Sequence, residues 1–343
     1  MSDGPNGPAP VTVTLLVCTR NRSRDLRDLL ETALAQEADD SYSYEVLIVD
    51  NNSNDDTRRV VETMMMTGHP NLRYLFQECP KSDALNAGLE AARGVIVSVV
   101  EDDCLLKSDW VKKLVVAFRE HPDVSVIGSK VLPIWQGTVP SWLSREHWSA
   151  LALTDYGDTP FPVDAQHKAR LLYCSILRVD AQAVGGFRSV SNVSGEPIGG
   201  VDDVEILERL WLAGKRGLYL PALVMRHKVN AGRLTKSYHR RWHAGHGRFY
   251  AVMRDANFEQ SGVRLFDAPA HVYRQTGRAA LGWMKSWMRR EPDLAFMCET
   301  QLRFCLGFLR ERRRDFRARG GRVSGGELAS FVHTLLSGGR RNP

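Results

Sequence analysis

The chain has 343 residues, 43% of them hydrophobic and 25% charged, with a formal net charge of +6, which fits one large or two modest globular domains. No apolar run approaches the length of a membrane span, and residues 1–10 (MSDGPNGPAP) lack the basic start and apolar core of a signal peptide and read as a disordered tail. The six cysteines, at 18, 79, 104, 174, 298 and 305, share no paired spacing, which argues for reduced thiols in a cytosolic chain rather than a disulfide framework.

Thr12–Val17 reads as a first strand closed by Cys18-Thr19-Arg20-Asn21-Arg22, and Ser23 opens a helix with Leu26, Leu29, Leu30, Ala33 and Leu34 on one face. Tyr44–Val49 is a second apolar strand ending in Asp50-Asn51-Asn52-Ser53, and Asp55-Asp56-Thr57 opens the next helix. Leu72–Phe76 is a third strand, followed by Lys81–Arg93 with Ala84, Leu85, Gly88, Leu89 and Ala92 at helical spacing. Val95–Val100, a fourth strand buried on both faces, runs straight into Glu101, Asp102 and Asp103. A helix then starts near Ser108, and Val124–Val131 is the fifth strand. This alternation predicts an α/β fold, a mostly parallel sheet flanked by helices.

Three adjacent carboxylates repel one another, and the end of a buried strand is a costly place for them. A divalent cation offsets that cost, because Mg2+ and Mn2+ prefer oxygen ligands and share them with substrate phosphates; the alternative is a solvated acidic turn. The first, second and fourth strands all end in polar clusters, on the edge where ligands sit in an open α/β sheet. Asp and Asn there accept hydrogen bonds from a base or ribose, while Thr and Arg contact phosphate. Singly each cluster is a turn as often as a site; together they make the edge a nucleotide pocket requires. Neither GxGxxG nor GxxxxGK[ST] occurs, so a Rossmann dinucleotide site and a P-loop are unsupported.

TRNR after the first strand, VDNNSNDDT after the second, ALNAGLEAARG, then EDD followed by SDW, in that order across residues 11–131, resemble the nucleotide-sugar half of glycosyltransferase family 2, which has the GT-A fold. The resemblance implies that Thr19, Arg20, Asn21, Asp50, Asn52 and Asp102 lie around a nucleoside diphosphate. It also implies that Glu101 and Asp103 take the two metal-facing places of the family's DxD motif, toward Mn2+ or Mg2+. Two positions depart from the family pattern: Glu101 holds the first DxD place, and Asn51 stands where a second Asp is frequent.

Pro133–His167 is rich in Trp and Pro, and Trp135, Trp142 and Trp148 either stack on sugar rings or lipid or close a hydrophobic lid. Leu171–Phe187 resembles the family's stretch that returns to the sheet and ends in GGF, with Cys174 where Asn is frequent. Asp202 and Asp203 open a helix whose face is Ile206, Leu207, Leu210 and Trp211 and which Gly214 stops. Capping and dipole stabilisation, about 1 kcal/mol or less for each acid, account for the pair without any chemistry. The resemblance implies more: the stretch is similar to the family's GED-type motif, with Asp203 as catalytic base. It likewise implies that His227, in the strand Tyr219–Val229, reaches the metal or the diphosphate. Arg233, Arg240 and Arg241 supply cations for a leaving diphosphate. RRW lacks the Gln of the QxxRW found in processive members, which points to a single addition.

From Arg226 onward there are 24 Lys and Arg against 9 Asp and Glu, a surplus of +15, while the first 225 residues carry −9. A basic back half suits an anionic partner. Pro269–Arg290 and Pro292–Arg319 read as helices, the second with Leu294, Met297, Leu302, Cys305 and Leu309 along one side and Arg310, Arg312, Arg313, Arg314, Arg317 and Arg319 after them. With Trp283, Met284, Trp287 and Met288 they form either helices packed on the catalytic domain or a basic amphipathic surface for an anionic membrane; no nucleic-acid recognition motif is present.

The expected organisation is therefore a tail (1–10), a nucleotide-sugar-binding half (11–131), an acceptor-binding and catalytic half (132–254) and a helical basic extension (255–343). The expected activity is inverting transfer of one sugar from a nucleoside-diphosphate sugar, UDP-linked, to a hydroxyl of a glycan or lipid-linked acceptor. It would serve cell-surface polysaccharide or glycoconjugate synthesis, in the cytoplasm or peripherally on the inner face of the membrane. A nucleotidyltransferase would carry a glycine-rich loop that CTRNR lacks, and a non-catalytic membrane scaffold would need no acidic pair.

Overall fold

The computed structural model describes residues 11–37, 40–188, 198–254, 256–259 and 262–336; the expected tail lies outside them. The chain forms two compact units, one of Met1–Ile134, Ala152–Ser189 and Asp202–Val229, the other of Trp135–Leu151, Val190–Val201 and Asn230–Pro343. Residues 11–131 fall within the first unit, but 132–254 divides between the two. The division follows hydrogen bonding rather than sequence, because strands from 152–229 join the same sheet as the first four.

The first unit runs β1 (Val13–Thr19), α1 (Ser23–Ala33), β2 (Tyr44–Asp50), α2 (Thr57–Met66), β3 (Leu72–Phe76), α3 (Lys81–Ala91), β4 (Ile96–Val100), β5 (Cys104–Leu106), α4 (Trp110–Glu120) and β6 (Val126–Gln136). It continues with β7 (Phe161–Val163), β8 (Ser175–Leu177), α5 (Arg178–Ala183), α6 (Asp202–Leu212) and β9 (Gly217–Asn230). The sheet order is β3-β2-β1-β4-β8-β6-β9-β5, with β7 also on β9. Pairing is parallel from β3 through β4, as the alternating pattern predicts. Beyond β4 the pairs β4–β8, β8–β6, β9–β5 and β9–β7 are antiparallel, so the sheet is mixed. The expected fifth strand, β6, does run in the direction of β4, but β8 is inserted between them and opposes both.

Alternation along the strands explains why helices cover both faces. Val13, Leu15, Val17, Val46 and Ile48 pack with α1, α2 and α4, whereas Leu16, Leu47 and Val49 pack with α3 and α6. Gly88 in α3 lies so close to Leu16 and Val49 that a Cβ there would clash, which lets α3 sit directly on the sheet. One carboxylate starts two helices. Asp55 Oδ2 accepts from Ser23 N–H and Oδ1 from Thr57 N–H, each at 3.0 Å. Burial opposes the charge on Asp55, but the bonds from Thr57 and Ser23 win and lower its carboxyl to about 2. Gly214, with φ +74°, ends α6 as expected: its N–H bonds Trp211 O at 3.0 Å.

The second unit comprises α7 (Lys236–Met253), α8 (Ala256–Glu259), β10 (Arg264–Leu265), β11 (Ala268–Pro269), α9 (Ala270–Met288), α10 (Pro292–Ala318) and α11 (Gly325–Leu336). Gly247 of α7 and Gly307 of α10 leave no room for a Cβ, so these two helices meet backbone to backbone. The expected apolar side of α10 holds only in part: Cys305 is buried and Leu309 packs half-buried beside it, but Leu294 and Met297 are exposed, and the buried stripe also takes in Phe296, Glu299, Thr300, Phe308, Glu311 and Arg312. Arg312 is not a surface cation, because its guanidinium is buried against Glu259 and Asp267. Charge pairing inside the unit thus overrides the hydrophobic periodicity. Trp142 is a packing residue, with ring centroids 5.4 Å from His147, 5.1 Å from His239 and 4.9 Å from Phe296.

Burial lowers His239 to about 3 and His243 to about 4. Both rings are therefore neutral in the folded unit, while in the unfolded chain they titrate near 6.5. A depressed histidine stabilises the fold above the unfolded pKa and loses that contribution as pH falls from about 6.5 toward about 4. The expected loss at pH 5 is on the order of 1–2 kcal/mol for each ring. Thermal unfolding followed from pH 7.5 to pH 5 should show it, and His243→Leu should flatten the slope; an unchanged slope in that variant would contradict the assignment.

Candidate functional site

The site is built where β1, β2 and β4 end together. Parallel register sets Thr19 opposite Asp50 and Val17 opposite Val100, so β1 reaches two residues past the end of β4. Thr19 Oγ1 consequently donates to Asp102 Oδ2 at 2.7 Å. Arg22, in the turn after β1, bridges two acids: Nη1 lies 3.2 Å from Asp102 Oδ1 and 2.7 Å from Asp103 Oδ2. Glu101 turns the other way, to Lys81 Nζ at 2.7 Å, from the first residue of α3. Burial pushes the Asp102 carboxyl up to about 7; Arg22 works against that rise, and Glu101 and Asp103 add to it.

His227 reaches the cluster through the antiparallel pair β5–β9, where it is the register partner of Cys104. Its Nε2 lies 3.1 Å from Asp103 Oδ1, and the ring is buried. The neighbouring Lys228 N–H donates to Asp103 O at 2.8 Å, which fixes the backbone of the acidic turn.

A cleft of about 320 Å3 opens here, lined by residues that include Thr19, Arg20, Arg22, Lys81, Glu101 and Asp102. Of the residues expected around a nucleotide, Thr19, Arg20 and Asp102 line it directly, and the other three on this edge shape its loops. Asn21 (φ 54°) donates its N–H to Ser53 Oγ at 2.9 Å and accepts from Asn54 N–H at 2.8 Å, which ties the β1 loop to the β2 loop. Asp50 is buried, accepting from Ser53 N–H at 2.9 Å and Tyr74 Oη at 2.7 Å. Asn52 (φ 59°) donates to Glu78 Oε1 at 3.1 Å. Arg233 belongs to the second unit, in the turn Ala231–Leu234, and Arg240 of that unit is held by both carboxylate oxygens of Glu299 at 2.7 and 2.9 Å.

Asp202 and Asp203 open α6 as the sequence predicts. Burial pushes Asp202 up to about 6, with Lys81 opposing the rise and Asp203 and Glu101 reinforcing it; the β4 acids and the α6 acids therefore share one electrostatic field. Asp203 Oδ2 lies 3.8 Å from Arg170 Nη2. Cys174 is buried and its thiol is pushed up to about 12 by that burial, so it is no nucleophile. Residue-by-residue reading missed Arg22, Lys81, Tyr74 and Arg170. Arg22 sits inside the quoted CTRNR turn, and Lys81 follows β3 at the same sheet edge, a position that could have flagged both.

Among the described residues, no group of three or more His, Cys, Asp and Glu side chains is close enough to cage a metal. The Asp103–His227 pair nevertheless suits a divalent cation that completes its shell with substrate phosphate, since one or two protein donors suffice for such sites. Glu101 would join them only by leaving Lys81.

The sequence pattern of the family described as "Glycosyl transferase family 2" matches residues 14–178. The chain is 24% identical to glucosyl-dolichyl phosphate glucuronosyltransferase of Haloferax volcanii over 157 residues, 42% of this chain and 46% of that protein, so it spans about half that relative's length. It is 24% identical to the succinoglycan biosynthesis protein ExoM of Rhizobium meliloti over 279 residues, 79% of this chain and 80% of the relative. Among solved structures, S. aureus TarS 1–349 in complex with UDP-GlcNAc is similar with a TM-score of 0.53 at 14% identity, covering 92% of this chain and 93% of that one. The mannosyltransferase PcManGT from Pyrobaculum calidifontis, in complex with GDP-Man and Mn2+, is similar with a TM-score of 0.52 at 18% identity, covering 98% and 85%. The fold is of the GT-A type.

Asp103→Asn should leave the circular dichroism spectrum unchanged and remove the Mn2+-dependent part of UDP affinity in calorimetry. A folded variant that binds UDP with Mn2+ as tightly as the parent would rule Asp103 out as a ligand.

Proposed function

Given that residues 14–178 are a glycosyltransferase family 2 domain, we propose that the protein moves a single sugar, with inversion, from a nucleoside-diphosphate sugar to a hydroxyl of a glycan or lipid-linked acceptor. The observation that carries this reading is the cleft in which Arg20, Arg22 and Lys81 meet Glu101 and Asp102 at the carboxyl edge of the sheet. Cations beside acids suit a diphosphate, which needs positive partners and, next to carboxylates, would be accompanied by a divalent cation. The neighbours bound to UDP-GlcNAc and to GDP-Man with Mn2+ support the donor class, and UDP is our choice of nucleotide. The similarity to a succinoglycan biosynthesis protein supports a place in polysaccharide or glycoconjugate synthesis. Among the described residues no helix is long and apolar enough to cross a membrane, and we assign the protein a peripheral position on the inner face of one.

The chain's own residues divide the work. Thr19, Arg20 and Arg22 bind phosphate oxygens, and Lys81 exchanges Glu101 for the diphosphate as negative charge builds on the leaving group. Asn21, Asp50 and Asn52 hold the loops against which the nucleoside rests. A divalent cation, Mn2+ or Mg2+, held by Asp103 and His227 and approached by Glu101, would supply Lewis-acid stabilisation of the same charge. Asp203, steadied by Arg170 at 3.8 Å, takes the proton from the acceptor hydroxyl as it attacks the anomeric carbon. Arg233 is a candidate cation for the departing diphosphate.

A thermal-shift screen of nucleoside diphosphates with and without Mn2+ tests the donor; no stabilisation by any of them would end the proposal. Asp203→Asn should keep UDP affinity and lose about 10²–10⁴ in turnover. If Asp203 only caps α6, Asn does nearly as well and the substitution is silent in both assays. Asp202→Asn is the control, and turnover lost there but kept in Asp203→Asn would move the base one residue earlier.

A further inference from the structure

Over its first turns helix α9 is packed on more than one side, with Tyr273 against Phe331 of α11 (ring centroids 4.9 Å apart) and Arg274 donating to Thr334 O at 3.2 Å, but over its last two turns one face is left open. Val272, Ala279 and Ser286, spaced by seven, are buried. At about 100° per residue, Trp283, Met284, Trp287, Met288 and Leu281 fall in a single sector roughly 160° wide that begins beside that seam and turns away from it. These side chains are 42%, 48%, 72%, 60% and 53% exposed. Two open tryptophans, two open methionines and an open leucine thus gather near one helix end, whereas exposed apolar side chains scattered singly would need no explanation. Arg278, Lys285 and Arg289 occupy the adjoining stripe, all exposed, and Arg290 follows at the helix end, so apolar sector and cations lie side by side.

We infer that this face of α9 docks on an anionic lipid bilayer, with Trp283 and Trp287 at the headgroup level and Arg278, Lys285, Arg289 and Arg290 on lipid phosphates. Charge decides the occupant. A protein partner could cover the apolar sector, but a stripe of cations beside interfacial tryptophans in a segment of surplus positive charge matches a surface that is negative everywhere and apolar just below. The α10 arginines are a poorer anchor, since Arg312 is buried and Arg314 pairs with Glu311. This deepens the peripheral position proposed above and is independent of the transfer chemistry.

The test uses the full chain, co-sedimented with vesicles of phosphatidylcholine alone and of phosphatidylcholine with phosphatidylglycerol. Binding is expected only to the mixed vesicles, weakening as salt screens the charges, and brominated lipid should quench tryptophan emission. The double variants Trp283→Glu/Trp287→Glu and Lys285→Glu/Arg289→Glu should each bind about tenfold or more weaker, consistent with roughly fivefold for each cation removed. The tryptophan variant should also lose the quenching, while UDP affinity stays as in the parent. These side chains are exposed, so the fold should be unaffected by circular dichroism. Equal binding to neutral vesicles, undiminished binding by the tryptophan variant, or a variant that instead turns a dimer into a monomer in light scattering would each overturn the inference. So would loss of binding from Arg310→Glu/Arg313→Glu while the tryptophan variant still binds.

Discussion

The first unit depends on how it tolerates three consecutive carboxylates at the end of a buried strand. Two carboxylates about 4 Å apart repel by roughly 4 kcal/mol at the effective dielectric of a protein surface, and here there are three. The chain answers with two cations and a histidine, drawn from three other elements: Arg22 after β1 between Asp102 and Asp103, Lys81 from α3 on Glu101, and His227 from β9 against Asp103. Each partner comes from a different part of the sequence, so the acidic turn also ties the turn after β1, the start of α3 and β9 to the end of β4.

That arrangement bears directly on chemistry. In the function proposed above, Arg22 and Lys81 are the partners the cluster would exchange for a substrate diphosphate, since each is a single long side chain partly open to solvent. Arg22 and Lys81 are each partly open to solvent, whereas Asp102 and Asp103 are not. The carboxylates are the fixed part of the site and the cations are its movable part. Asp202 lies in the same field: burial raises its carboxyl most, and Asp203 and Glu101 add to the rise against Lys81.

The second unit rests on a different balance. Its core is polar as well as aromatic, with Arg240 on Glu299, Arg248 on Glu311 at 3.0 Å, and Arg312 buried with Glu259 and Asp267. Buried ion pairs of this kind are costly to desolvate, so breaking one by removing a single partner should destabilise the unit more than the intact pair stabilises it.

Local pattern determined much of this protein. β3 was legible to the residue, the other three parallel strands and α1, α2 and α3 to within two, and the start and glycine stop of α6 to the residue, because strand alternation, helical periodicity and φ-positive glycine act over a few residues. The motifs at the strand ends were enough to identify the family. The antiparallel insertion of β8 was not legible, since it depends on pairing between residues nearly eighty positions apart. The buried side of α10 was legible only in part: periodicity favoured Cys305, which is buried, but also Leu294 and Met297, which are exposed, while Glu299, Glu311 and Arg312 are taken inside as members of ion pairs. The acidic triplet was plain in sequence, and its need for positive partners followed from charge alone. Which side chains answer it is a matter of distance across the sheet edge, and only the tertiary structure brings Arg22, Lys81 and His227 there.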